Sequence, residues 1–340
     1  MNSVEPFAGA PAEWDRFVRG DPHGTFCHLA GWWPIVHDVF GHECLPLCAR
    51  DERGALTGVL PLVDVRSRLF GRYLVSMPFL NAGGPIGHPD ARTALAAAAE
   101  LEGRARRVAL VELRNRGPAP AWGRVTMRKI TVELPLPAQA DALWRTFPSK
   151  LRSQIRRAMR EGFSVRHGAA EVESFYAVFA RNMRALGTPV LPVAVFRRIV
   201  TAFGDLARVT VVYDGETPVA GGFGFSWANT FELTWASALR EYNARAPNML
   251  LYWTLMQRAI DSGDRTFDFG RCTPGAGTHR FKLQWGGRDV PLAWTQWDGT
   301  GVSSPPSPER PVFRLAAACW RRLPLGVTNR LGPIIATQLP

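Results

Sequence analysis

The feature that most constrains the fold is an order of elements that occurs twice along the chain. In each half an acidic turn, around Asp51 and around Asp214, joins two apolar runs, and the second runs cover 56–65 and 218–227. Further on, a helical pattern that ends at glycine precedes a short apolar strand in both halves, and the turns lie about 160 residues apart. Strands that alternate with helices indicate an α/β fold, so the repeat predicts two copies of one α/β unit.

The length of 340 residues also suits two domains of ordinary size. We expect a first lobe over residues 1–142 and a second lobe over residues 143–302. A final segment covers 303–340 and begins with a stretch rich in Pro and Ser, Ser303–Pro311, which is typical of a linker. We expect the helix after this linker to dock on the first lobe.

The net charge of +12 and the isoelectric point near 10.3 favour anionic partners. Nucleic acid, a phosphorylated small molecule and an anionic membrane surface all fit, and a general preference for arginine explains the excess equally well. Residues 1–11 have neither the basic start nor the apolar centre of a secretory signal, and no apolar run reaches the roughly 18 residues that span a bilayer. We therefore expect a soluble, cytoplasmic protein.

The five cysteines are an odd number, which argues against a disulfide framework in a cytosolic chain. Cys44 and Cys48 lie near His42 but form a solitary pair, so we interpret them as buried thiols and expect no metal site.

The stretch 144–202 has helical patterns throughout, and one of its helices is strongly basic. This helix is predicted over Lys150–Gly162, with Ser149 as its cap and Gly162 as its end. Its apolar residues fall on one face, whereas Arg152 and Arg156 belong to a row spaced by four beside that face. Like charges at this spacing repel by roughly 0.2–0.5 kcal/mol per pair, which favours a bound anion against the row. A solvated helix face is the alternative. We name Lys150, Arg152 and Arg156 as candidate substrate-binding residues.

The predicted strand Thr266–Phe269 ends in a glycine-rich loop, and ligands of α/β units gather at the carboxyl ends of strands. Arg271 in this loop is a candidate for anion binding. A short helix after the loop has His279, Phe281 and Lys282. On spacing alone, Lys282 is better interpreted as an ordinary surface lysine. Cys272 is better interpreted as a passive thiol, since no histidine is placed to activate it.

Acyl transfer to an amine places negative charge on a carbonyl oxygen, which a cation stabilises, and it often uses a base. Lys282 would supply the cation, and Phe281 would exclude water. His279, Asp268 and Glu112 are the candidate bases. Glu112 is also a candidate substrate-binding residue, as is Arg72, which ends the basic loop Arg66–Arg72.

A family resemblance adds to these assignments. The runs Asp268–Arg271, Gly275–Thr278 and Phe281–Gly286 resemble the closing motif of FemAB-type proteins. Further runs narrow the resemblance to FemAB-like proteins associated with exosortase (PEP-CTERM) and exopolysaccharide loci. These runs are Phe40–His42, Gly58–Leu62, Ser67–Gly71, Leu74–Phe79, Gly83–Pro85, Glu112–Asn115, Leu186–Pro189, Asn248–Trp253, Arg322–Leu325 and Leu331–Pro333.

The resemblance implies two GNAT-like lobes in tandem with a substrate cleft between them. It implies an acyltransferase that moves an aminoacyl or acyl group to an amine or hydroxyl of a cell-envelope glycan, peptidoglycan or exopolysaccharide precursor. It assigns substrate positioning and charge stabilisation to Phe281 and Lys282.

The resemblance implies no tightly bound cofactor, and it leaves the donor open between aminoacyl-tRNA and acyl-CoA. The coiled-coil insertion that some members use with tRNA is missing, because Ser149–Ala202 is too short for it. We expect an anionic small molecule or glycan precursor as substrate, with tRNA and the inner-membrane surface as further partners and no DNA. An acyl-CoA-dependent GNAT enzyme for a small molecule and a non-catalytic binder of polyanions or membranes are the alternatives.

Overall fold

The computed structural model describes residues 3–68, 70–299 and 311–338. The described residues form two compact units, each with a sheet and helices. The predicted α/β class is therefore confirmed.

Each unit is built from segments that are not contiguous in the sequence. The first takes its described residues from Met1–Lys129, Pro291–Pro308 and Thr337–Pro340, and the second takes them from Ile130–Val290 and Glu309–Ala336. The sequence placed the boundaries at 142 and 302 instead, and two strands account for this difference.

The first unit has a mostly antiparallel sheet with strand order β1-β2-β3-β4-β6-β13-β7, and β5 pairs with β3. Its elements are β1 (Ser3–Pro6), α1 (Pro11–Gly20), α2 (Trp32–Asp38), β2 (Glu43–Arg50), β3 (Leu56–Ser67), β4 (Gly71–Ser76), β5 (Ile86–Gly87), α3 (Pro89–Ala105), β6 (Leu110–Arg114), the start of β7 (Arg124–Pro135) and most of β13 (Arg288–Asp298). Helix α3 begins with Pro89 at its first position and packs a stripe of apolar residues, Ala91, Leu95 and Ala99, against the sheet.

The second unit has the strand order β7-β12-β11-β10-β9-β8. Its elements are the end of β7, α4 (Ala140–Thr146), α5 (Ser149–Met159), β8 (Ser164–His167), α6 (Val172–Leu186), α7 (Val193–Phe203), β9 (Ala207–Asp214), β10 (Thr217–Trp227), β11 (Thr230–Ala238), α8 (Pro247–Asp261), β12 (Thr266–Asp268), α9 (Gly277–Leu283), the start of β13, α10 (Pro311–Trp320) and α11 (Leu325–Ala336).

Helices α6 and α8 cover opposite faces of this second sheet. Gly221 faces Phe175 of α6, whereas the next residue, Gly222, faces Leu251 and Leu255 of α8. Consecutive residues of a strand point to opposite faces, so both helices can approach closely where β10 has no side chains.

Strands β7 and β13 explain the shifted boundaries. The end of β7 pairs with β12 in the second unit, while Thr126 near its start donates a hydrogen bond to Trp294 O in the first. Strand β13 begins in the second unit and then pairs with β6 in the first. The sequence analysis missed both strands, because charged residues and Pro291 interrupt their apolar pattern.

Two details of the region 144–202 also differ from prediction. The region is not wholly helical, since β8 lies within it. Ser149 does not cap the basic helix: Pro148 holds that position, and the helix ends at Met159.

The C-terminal helices correct another expectation. Helices α10 and α11 belong to the second unit, where Arg184 Nε of α6 donates to Leu323 O over 2.6 Å and Gly332 lies against Val190. The two residues after α11 do lie in the first unit, where His42 Nε2 bonds Thr337 O at 2.8 Å. The predicted linker lies outside the described residues except for Pro311, which begins α10.

Candidate functional site at the end of strand β12

The carboxyl end of β12 turns sharply at Gly270. Asp268 is fully buried, and its carboxylate accepts hydrogen bonds from Gly270 N at 2.7 Å and from Thr131 Oγ1. Gly270 has a φ of +72°, and a Cβ at this position would lie 2.4 Å from Leu233 O. Only glycine fits both conditions, so Asp268 and Gly270 together define the turn.

Lys282 of α9 is buried beside this turn, with 6% of its surface exposed. Its Nζ donates hydrogen bonds to Gly270 O and, over 3.1 Å, to Arg271 O. An ammonium group has three N–H donors, so these two bonds to described residues leave one for a substrate oxygen. Burial lowers the pKa of Lys282, whereas the nearby Cys272, Asp268 and Glu232 act in the opposite direction.

His279, on the same helix, holds the loop in place. Its Nδ1 accepts a hydrogen bond from Gly275 N at 3.0 Å, and its Nε2 lies 2.8 Å from Asp289 Oδ1. A neutral imidazole that accepts at Nδ1 carries its proton at Nε2, which then donates to the carboxylate. Both ring nitrogens are thus engaged, an arrangement that favours a structural role for His279 over the predicted role of base.

An aromatic cluster adjoins Lys282. The ring of Phe281 lies edge-on to Tyr252 at 4.9 Å between centroids and 6.3 Å from Trp285. Tyr252 in turn stacks on Phe269 and on Trp285, and burial raises the pKa of its hydroxyl. Phe281, which was predicted to exclude water, is therefore the partly buried member of a larger aromatic cluster whose other rings are buried. The sequence analysis missed Tyr252 and Trp285.

Three carboxylates share one face of the second sheet. Glu232 of β11 is the register partner of Asp268, and Asp268 is the register partner of Glu133 on β7. Paired residues on neighbouring strands point to the same face, so the three form a row. In the described part of the chain, no group of three or more His, Cys, Asp or Glu is placed to hold a metal ion.

The basic helix α5 packs its apolar face, Leu151, Ile155 and Ala158, into the core that also contains α8. On the remaining surface Lys150 is exposed and the guanidinium of Arg156 lies 5.3 Å from the centre of the Trp144 ring. Arg152 bonds Arg145 O at 3.4 Å. The predicted second row of cations beside the apolar stripe is thus present.

Arg72 and Glu112 belong to the first unit, and both are committed to structural contacts. Arg72 donates to buried Asp64, with Nε at 2.8 Å, and to Arg106 O. Although burial alone would raise it, hydrogen bonds from Arg72 and Arg66 hold the pKa of Asp64 below its usual value. Arg72 therefore has a structural role in this ion cluster, and its substrate-binding role stays a prediction.

Glu112 is buried with both carboxylate oxygens paired. Oε1 accepts from Arg114 Nε at 2.9 Å, and Oε2 accepts from Gln296 Nε2 at 2.7 Å. A carboxylate held in this way stabilises the paired strands β6 and β13, which argues against the predicted roles of base and substrate ligand.

Sequence comparisons find two similarities. Residues 149–283 match the family model of the Acetyltransferase (GNAT) domain. The chain is 23% identical over 291 residues to the UDP-N-acetylmuramoylpentapeptide-lysine N(6)-alanyltransferase of Weissella viridescens, covering 77% of this chain and 84% of that protein.

Solved structures of other proteins share the fold of this chain. The FemX crystal structure superimposes with a TM-score of 0.65 at 15% identity, covering 86% of this chain and 97% of FemX. A tandem GNAT protein from the clavulanic acid pathway superimposes with a TM-score of 0.57 at 12% identity, covering 89% and 100%.

The chain is thus similar to FemAB-type proteins. The predicted tandem GNAT architecture is confirmed, and the GNAT match extends from the first residue of α5 to the last residue of α9. The narrower assignment to proteins associated with exosortase and exopolysaccharide loci stays a prediction.

The sequence did contain one unused signal for Lys282. The chain has 41 basic residues, yet only Lys129, Lys150 and Lys282 are lysines. A lysine at a position in a chain where arginine is the rule points to a need for a compact point charge with rotatable donors, which a planar guanidinium does not supply.

Proposed function

We propose that this chain is an acyltransferase that moves an aminoacyl or acyl group to an amine or hydroxyl of a cell-envelope glycan, peptidoglycan or exopolysaccharide precursor. The observation that carries this proposal is the buried ammonium group of Lys282, fixed at the end of β12 by the carbonyls of Gly270 and Arg271. The similarity to an alanyltransferase and to FemX supports the same reaction class.

The chemistry follows from that position. The acceptor nitrogen attacks the acyl carbonyl carbon, a C–N bond forms, and negative charge develops on the carbonyl oxygen. The bond to the donor's oxygen or sulfur then breaks, and the amine proton ends on that leaving atom. In this proposal the remaining N–H of Lys282 binds the charged oxygen, and a donor that is already oriented costs no reorganisation during the reaction.

The aromatic cluster and the basic helix complete the proposed site. Phe281, with Tyr252 and Trp285 behind it, would exclude water from the acyl group. Arg271 and the α5 cations Lys150, Arg152 and Arg156 would bind the phosphates of an activated precursor or of the donor.

Acyltransferases of this kind use aminoacyl-tRNA or acetyl-CoA as donor. We propose an aminoacyl donor first, because the alanyltransferase similarity covers most of the chain. Acyl-CoA is the second candidate, since the GNAT domain model matches the part that contains α5 and α9. We propose the cytoplasm as the place of the reaction.

The test assays the purified full chain with labelled alanyl-tRNA and UDP-N-acetylmuramoylpentapeptide, and in parallel with labelled acetyl-CoA. We expect Lys282→Ala to lower kcat about 10²–10³-fold, the effect of removing one donor to a developing oxyanion. The rate should also decline at alkaline pH before the ordinary lysine value of 10.5, because burial lowers the pKa of Lys282.

The matched control is Arg288→Ala, which removes an exposed cation just beyond α9. It should keep wild-type activity. Full turnover by Lys282→Ala would exclude the proposed role of Lys282, and transfer from acetyl-CoA alone would replace the aminoacyl donor with acyl-CoA.

A further inference from the structure

The two C-terminal helices expose apolar faces. On α10, Val312 and Leu315 lie on one side, and Leu315 is 67% exposed. On α11, Val327, Leu331 and Ile334 repeat at intervals of four and three, which places them on one exposed stripe. We call these five residues the C-terminal apolar surface.

The opposite faces of both helices are already used. Ala317 of α10 lies against Gly187, where a Cβ would approach Ala317 O to 2.7 Å. Thr328, Gly332 and Ala336 of α11 are buried, and Gly332 lies against Val190. Helix α11 therefore docks by its small residues and α10 buries Trp320, whereas the five residues of the C-terminal apolar surface face outward.

The exposed large hydrophobic residues are concentrated in the C-terminal segment. Eleven large hydrophobic residues are exposed in the described part of the chain, and five of them form the C-terminal apolar surface within residues 312–334. Scattered apolar residues on a surface need no explanation, but a cluster on two adjoining helices marks an interaction site.

The charged residues of this C-terminal segment all have the same sign. Residues 311–340 contain four arginines and no Asp or Glu. The arginines are Arg314, Arg321, Arg322 and Arg330. A symmetric contact between two copies of the chain would bring these cations together without a carboxylate from the same segment to neutralise them. An anionic partner with an apolar interior satisfies both the charge and the exposed side chains.

We propose that the C-terminal apolar surface docks on an anionic lipid bilayer. Val312, Leu315, Val327, Leu331 and Ile334 enter the boundary between headgroups and acyl chains, and the four arginines bind lipid phosphates. No helix among the described residues has the length and hydropathy to cross a bilayer. The helices accordingly lie in the membrane surface.

The test is co-sedimentation of the full chain with vesicles of phosphatidylcholine alone and with vesicles of equal parts phosphatidylcholine and phosphatidylglycerol. Wild type should bind the anionic vesicles more tightly. Substituting Leu315→Glu and Ile334→Glu together should lower the partition coefficient about a hundredfold, about tenfold for each lost apolar side chain. Changing the four arginines to Gln should abolish the preference for phosphatidylglycerol, with about a fivefold loss per charge.

Leu101→Glu is the matched control, because Leu101 on α3 is also 67% exposed but lies in the first unit. It should bind vesicles like wild type, with an unchanged unfolding transition. The proposal is overturned if wild type fails to sediment with anionic vesicles or if the Leu315→Glu, Ile334→Glu variant binds normally. A dimer that this variant dissociates, with no vesicle binding, would assign the surface to self-association. Acyl transfer is not part of the readout, so failure here leaves the proposed function untouched.

Discussion

At the scale of single residues, His28 is a buried side chain whose protonation state is fixed by its neighbours. It is 2% exposed, and its Nε2 lies 2.9 Å from Gly84 O, which can only accept a hydrogen bond. Its Nδ1 accepts from Thr25 N at 3.1 Å. A second proton would have to sit on Nδ1 against that N–H, and burial lowers the pKa of His28 to about 4.

The lowered pKa gives His28 a predicted effect on stability. The unfolded chain takes up a proton near pH 6.5, whereas the folded chain resists it until about pH 4, so the stability present at neutral pH is lost as the pH falls through this window. At pH 4.5 the loss should reach about 2–3 kcal/mol. His28→Gln should remove this difference in urea unfolding at pH 7 and pH 4.5. His37→Gln, at an exposed position, should keep the wild-type slope, and an unchanged slope in His28→Gln would contradict the prediction.

At the scale of elements, the turn after β12 couples backbone geometry to Lys282. Replacing Gly270 by Ala would force a positive φ on alanine and press its Cβ against Leu233 O. The strain should cost about 1–3 kcal/mol and should displace the carbonyl that accepts from Lys282. We expect lower thermal stability together with reduced acyl transfer.

Gly277→Ala provides the comparison on the same loop. Gly277 has an ordinary φ and nothing within 4 Å of a Cβ, so alanine should be neutral or slightly stabilising at the start of α9. Equal melting temperatures for the two variants would show that Gly270 is not strained by a side chain.

This turn also marks how far the sequence could predict the site. The rule that ligands gather at the carboxyl ends of strands located the loop, and the resemblance of the closing motif selected Phe281 and Lys282. The burial of Lys282 depends on a backbone bend at Gly270, and the row of Glu232, Asp268 and Glu133 depends on the register of three strands. Local patterns do not encode register between distant strands, so these features could not be derived.

The role of His279 also depends on a contact that local sequence patterns do not encode, so the sequence left this role open. A histidine becomes a base only if one ring nitrogen is available, and Asp289 and Gly275 engage both nitrogens here. Asp289 is the second residue of β13, a strand that the sequence analysis did not predict.

At the scale of the whole molecule, the internal repeat predicted two α/β units. It did not predict that two strands, β7 and β13, contain residues of both units. A repeat indicates how many units there are, whereas strands β7 and β13 each pass from one unit into the other. The helical patterns that end at glycine in each half are local features, and the structure contains them as α3 and α8. The position of β13 between β6 and β7 is a long-range pairing that no local pattern indicates.

Most of β13 follows the second unit in the sequence but belongs to the first unit, where it pairs with β6. We therefore predict that the first unit depends on these residues for its stability. Thr295 is fully buried in β13 and is the register partner of Leu113. Thr295→Pro would remove a backbone donor from a central strand, so we expect residues 3–129 to lose their protection from limited proteolysis while 130–290 keep theirs. Thr295→Val is the control, since it removes only the hydroxyl that accepts from Asn115 Nδ2 at 3.2 Å and should cost about 1 kcal/mol. Mass spectrometry of the released fragments separates the two outcomes: equal protection of 3–129 in both variants would mean that β13 does not hold the first unit together.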